Sequence, residues 1–145
     1  MDAQELLAAM PFAAGAGVEL VSASPEEVVG RLHWAPERCT TMGVLHGAAL
    51  MTLADSLGAI CAFLNLPGDS RTSTIESKTN FFRVAREGHV DSVSRPLHVG
   101  RTTIVVQTDI RVSAGNRVAQ VPRPRRCSLR GPEFPPFHRP GIYAS

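Results

Sequence analysis

From Leu45 to Leu64 the chain runs nearly without a polar side chain, and this stretch constrains the fold more than any other. Leu50, Met51, Leu53, Leu57, Ile60, Phe63 and Leu64 fall on every side of a helix. A helix that is apolar all round is a buried core helix. His46, Asp55 and Ser56 interrupt the run, so it is not a clean membrane span. Asn65-Leu66-Pro67-Gly68-Asp69 supplies the turn chemistry that ends it.

The flanking segments read as strands. Gly17 to Ser22 and Glu27 to Trp34 are joined by the turn Ser24-Pro25-Glu26. Val28, Gly30, Leu32 and Trp34 share one face of the second strand. After the helix, Arg71 to Val84, His89 to Val99 and Arg101 to Val112 follow in series, with Ile104, Val106, Thr108 and Ile110 on one face. Asp2 to Met10 has helical spacing and is stopped by Pro11. The layout predicts an α+β fold in which an antiparallel sheet wraps one long central helix. Two layers leave a sheet face that a second copy of the chain can cover.

The chain has 145 residues, the size of one domain, and its 43% hydrophobic content excludes wholesale disorder. Three cysteines exclude a disulfide scaffold. The acidic opening Met1-Asp2-Ala3-Gln4-Glu5 is unlike a secretory signal, so the expected compartment is the cytoplasm. The arginines are not interleaved with aromatics as in a nucleic-acid module. His33, His89 and His138 lack metal-ligand spacing.

Composition changes at Pro122. Residues 122–145 hold six of the eleven prolines and carry Arg123, Arg125, Arg126, Arg130 and Arg139 against Glu133 alone. The expectation is a domain over residues 1–121, a last strand that begins at Val118 and breaks after Val121, and an atypical tail over 122–145. One lost base ahead of Pro122 would account for the tail. With suitable codons the restored frame reads Thr-Gln-Thr-Gln-Ala-Val-Leu, which continues the strand.

Two features carry chemistry. Gly43-Val44-Leu45-His46-Gly47-Ala48 opens the helix, and free N–H groups at such a terminus suit a polarised oxygen. The same glycines would equally serve tight packing. Asp55 is a carboxylate deep in the most apolar helix. Such a group is either paired structurally, with Lys78 or a nearby arginine, or works as a base or nucleophile. His46 and Asp55 are ~13.5 Å apart along a helix axis and on opposite faces. If both act on one substrate, the site is shared between two chains.

Gly43-Val44-Leu45-His46-Gly47-Ala48-Ala49-Leu50, with Leu53-Ala54-Asp55-Ser56, resembles the signature of hotdog-fold thioesterases of the PaaI-like group, relatives of the 4-hydroxybenzoyl-CoA thioesterases. Ser77-Lys78-Thr79-Asn80-Phe81-Phe82-Arg83 resembles the strand after the family's helix, and His98-Val99-Gly100-Arg101-Thr102-Thr103 its next turn. The resemblance implies a homodimer or a dimer of dimers that hydrolyses an aryl or medium-chain acyl-CoA. No cofactor, metal, nucleic acid or membrane is implied. Asp55 matches the catalytic carboxylate, the Gly47 N–H the donor to the thioester carbonyl, and His46 a positioning residue. Thr74, Asn80 and Phe82 match positions near the substrate, and Gly100 and Arg101 a region that meets CoA phosphates. Leu53, Leu57, Phe63 and Phe82 are expected to line the acyl tunnel. Ala48 replaces a usual second glycine, and Thr40-Thr41 stand where the family often has an asparagine. A non-catalytic hotdog protein that binds acyl-CoA, or serves as an assembly module, is the alternative. A hotdog dehydratase is weaker, because its Asp/His arrangement is not visible.

Overall fold

A computed structural model describes residues 2–128. Two short helices, α1 (Ala3–Ala8) and α2 (Pro11–Gly15), precede the hairpin of β1 (Val18–Ala23) and β2 (Val28–His33). The long helix α3 (Gly47–Leu64) follows two 3-10 turns, Pro36–Arg38 and Thr41–Gly43. Then come β3 (Arg71–Thr74), β4 (Asn80–Phe81), β5 (His89–Val99), β6 (Thr103–Val112) and β7 (Arg117–Ser128). The strands form one antiparallel sheet in the order β1-β2-β5-β6-β7-β3, with β4 also on β7.

Pro11 begins a helix as well as ending one. Its missing N–H costs nothing at the first helical position, and its fixed φ suits the turn. Asp2 and Glu5 form a reciprocal capping box for α1.

The α+β expectation holds. α3 lies across the sheet and buries Leu50, Leu53, Leu57 and Ile60 against Val28, Leu32, Val90, Ile104, Val106 and Ile110. The period-2 faces read from β2 and β6 are the buried ones. By length and composition α3 could cross a membrane, but half of it is buried inside the fold. It is not buried all round. Ala48, Met51, Asp55 and Phe63, at multiples of three and four residues, form an exposed stripe.

Two expectations about strands fail. Arg71 to Val84 is not one strand: it pairs with β7 at 71–74 and at 80–81, and residues 75–79 bridge the gap. The last strand does not break after Val121. β7 continues to Ser128, with Pro122 opposite Gln107 and Pro124 opposite Val105 on β6. The reason is parity. Val118 O accepts from Phe82 N–H, and Pro124 O from Ile75 N–H (3.4 Å), so even-numbered residues of β7 turn their backbone polar groups toward β4 and β3. Pro122 and Pro124 therefore lack N–H groups on the side facing the 75–79 gap, and the β6 ladder loses nothing. The rest of the expected tail, residues 129–145, lies outside the described residues.

Candidate active site

The loop entering α3 is tied down on several sides. Leu45 N–H donates to Ala85 O (2.8 Å), His46 N–H to Arg38 O (2.9 Å) and Trp34 Nε1 to Gly43 O (3.0 Å). Arg86 Nη1 donates to Met42 O (2.7 Å). Met42 sits at φ +63°, a left-handed conformation that costs a non-glycine residue about 1–3 kcal/mol and persists only where the surroundings impose it.

His46 is the N-cap. Its Nδ1 accepts from Ala48 N–H (2.9 Å), which puts the ring proton on Nε2. Its carbonyl accepts from Ala49 N–H (2.9 Å) and Leu50 N–H (3.3 Å). The Gly47 N–H, at the head of the helix, has no acceptor among the described residues. A Cβ at Gly47 would lie 3.2 Å from Phe81 Cζ. The chain's own Phe81 thus occupies the space this glycine leaves.

Asp55 lies more than two turns further on. Its side chain is 54% exposed, on the exposed stripe of α3, so the expectation of a buried carboxylate is corrected. The apolar sequence around it serves the opposite face of the same helix. A cavity of about 330 Å³ beside it is lined by Phe12, Ala48, Met51, Thr52, Ser56 and Ser77. A second cavity of about 330 Å³ shares Phe12, Ala48 and Thr52 and reaches His46, Arg38 and Cys39. The two lie next to each other along the exposed side of α3.

The arginine beside Asp55 comes from β7. The Arg125 side chain is only 5% exposed, and its Nη2 lies 3.3 Å from Asp55 Oδ1 and 3.4 Å from Asp55 O. Both are long for charge-assisted bonds. Burial pushes the guanidinium down to about 10, which leaves it charged at neutral pH. Its Nε is buried with no partner among the described residues. Burial also pushes the Cys61 thiol up to about 11, with the Arg125 charge acting the other way. Thr74 is the cross-strand partner of Arg125, so both side chains leave the same face of the sheet.

The other expected site residues are spread out. Thr40 and Thr41 are exposed in the loop before α3 and line neither cavity. Asn80 pairs with Gln120 at the sheet edge. Phe82 lines a different cavity with Arg83, Val84, Val112 and Asn116. Gly100 and Arg101 form the β5–β6 hairpin, where Gly100 N–H donates to Thr103 O (2.9 Å) and Arg101 is exposed. Leu53 and Leu57 are fully buried core residues and line no tunnel, whereas Phe63 and Phe82 are exposed. Phe12, Ser77 and Arg125 are not among the site residues expected from the sequence. Phe12 carries no motif, Ser77 opens the block that resembles the family's strand after the helix but has no role assigned there, and Arg125 lies in the segment expected to leave the fold.

A long helix wrapped by an antiparallel sheet is the hotdog fold, and solved structures share it. A thioesterase from Pseudomonas aeruginosa superposes with a TM-score of 0.81 at 24% identity, over 88% of this chain and 94% of that one. A "hypothetical thioesterase protein" from Streptococcus pneumoniae, solved with coenzyme A, superposes with a TM-score of 0.75 at 21% identity, over 84% and 96% of the two chains. Residues 42–119, more than half the chain, match the thioesterase superfamily, and the chain belongs to that family. It is 40% identical over 68 residues to 1,4-dihydroxy-2-naphthoyl-CoA hydrolase of Escherichia coli strain K12, which is 47% of this chain and 50% of that protein. The match spans about half the length of this and other curated relatives.

Proposed function

We propose that the protein is an acyl-CoA thioesterase acting on an aryl or medium-chain acyl-CoA, with Asp55 as the base or nucleophile. The observation that carries this is the placement of Asp55, a carboxylate on the exposed stripe of an otherwise apolar helix and open to a cavity. Family membership and the E. coli hydrolase support the reaction class.

As a base, Asp55 takes a proton from water as the water oxygen bonds to the thioester carbon. As a nucleophile, its carboxylate bonds to that carbon, and water later cleaves the anhydride. Either way the carbonyl oxygen gains negative charge and needs a donor. The Gly47 N–H at the head of a helix is suited to that role. The separation of Gly47 and Asp55 along one helix favours pairing Asp55 with the Gly47 of a second subunit. Collapse of the tetrahedral species expels the CoA thiolate, a good leaving group that needs no metal activation. The cap on Ala48 N–H fixes the His46 ring at the head of the helix.

A homodimer fits the exposed apolar groups. Met51 and Phe63 on α3, and Ile75, Phe81, Phe82 and Val84 along the β3–β4 edge, are all exposed in the single chain. Arg101, exposed on the β5–β6 hairpin, has the chemistry to pair with CoA phosphates.

The Arg125 contact favours a second reading, in which Asp55 belongs to a structural ion pair of a binding protein. Replacing Asp55 by Asn separates the two. The enzyme loses thiol release and keeps CoA binding, whereas a binding protein shows no turnover to lose.

A further inference from the structure

We propose that Arg125 is a positioning residue for this reaction, holding the Asp55 carboxylate in its working orientation. This rests on Asp55 being the base or nucleophile. Arg125 reaches Asp55 at two points, the carboxylate Oδ1 (3.3 Å) and the main-chain carbonyl (3.4 Å). Contact at both points ties the side chain to its own backbone and restricts rotation about the intervening bonds. The guanidinium can do this because it is held itself: its side chain is 5% exposed, whereas the Asp55 side chain is 54% exposed. A reacting carboxylate needs one rotamer, and the contact with Arg125 favours one.

The sheet gives the arrangement its rigidity. Arg125 lies between Ile104 on β6 and Thr74 on β3, paired on both sides. Pro124, the residue before it, fixes one backbone torsion in the same stretch. The segment whose composition suggested a broken strand is thus the segment that delivers a cation to the candidate base. Burying a guanidinium whose Nε has no partner among the described residues is costly, and a purely structural role is served as well by an apolar side chain of similar length.

The test is a double-mutant cycle on the full chain, measured as CoA thiol release from acyl-CoA. Arg125→Met keeps the bulk and removes the charge, and Arg125→Lys keeps the charge. Each is measured alone and combined with Asp55→Asn. The expected result for Arg125→Met is a fall in kcat of about tenfold to a hundredfold with KM within about twofold, the pattern of lost orientation. Arg125→Lys recovers part of the loss. In the Asp55→Asn background, Arg125→Met lowers the residual rate no further, because its effect runs through Asp55. An unchanged kcat in Arg125→Met overturns the proposal, and so does an equal loss with and without Asp55. If Arg125→Met does not fold, Arg125→Gln, which also removes the charge, is read in its place: the same two failures in that variant overturn it. Full turnover in Asp55→Asn alone refutes the base assignment itself, and that result is read without any Arg125 variant.

Discussion

Gly30→Ala tests how tightly α3 is seated on the sheet. Gly30 is on β2, paired with Leu20 on β1 and Ser92 on β5. A Cβ there would lie 2.6 and 2.7 Å from the two Leu57 methyls and 2.7 Å from Glu19 O. Carbon atoms pack at about 3.5–4.0 Å, so Leu57 must retreat by about 1 Å into a close-packed core. The Glu19 carbonyl is main chain in β1 and retreats only with its strand. Overpacking of this kind costs about 1–3 kcal/mol. For a chain of this size each kcal/mol lowers Tm by about 2–4 °C, which gives a fall of about 2–12 °C. Thermal unfolding by circular dichroism measures it, alongside Leu57→Ala and the double variant. Leu57→Ala alone costs about 2–5 kcal/mol through its cavity. The added methyl of Gly30→Ala partly fills that cavity, so the double variant is more stable than the sum predicts, by at least about 0.5 kcal/mol. A wild-type Tm for Gly30→Ala, or strict additivity, refutes the packing described.

Two further outcomes follow from the same structure. Pro122→Thr adds an N–H toward the 75–79 gap and shifts Tm by less than about 3 °C, whereas Val121→Pro removes a donor facing β6 and lowers Tm far more; comparable shifts in the two contradict the parity reading of β7. The Cys61 thiol, held up at about 11 by burial, binds its proton more tightly in the folded chain than in the unfolded one. Its stabilising contribution is therefore full below about pH 9 and is lost as pH rises from about 9 to 11. Wild-type Tm should fall more steeply than that of Cys61→Ala across that window, and parallel profiles contradict this.

The sequence made the helix and the sheet faces readable because burial writes a period into the chain. Val28, Gly30 and Leu32 alternate on β2, and Ile104, Val106, Thr108 and Ile110 alternate on β6. The bounds of β5, at His89 and Val99, follow from its alternation and flanking turns. The exposed stripe of α3 was hidden because Met51 and Phe63 are as apolar as the core residues beside them. The continuation of β7 was hidden for another reason. A proline reads as a strand breaker unless the side its nitrogen faces is known, and that side is set by where β3 ends and β4 begins. Asp55 was identifiable as an anomaly in its helix. Its contact with Arg125, 70 residues away, was not, because only the pairing of β7 brings the two together.

The most direct test of the account is CoA thiol release from a panel of aryl and fatty acyl-CoA esters, measured on wild type and Asp55→Asn. The account predicts turnover on at least one ester class by wild type, and loss of that turnover in a folded Asp55→Asn protein that still binds CoA. Wild-type turnover retained in Asp55→Asn, or a folded wild-type protein that releases no thiol from any ester, contradicts it.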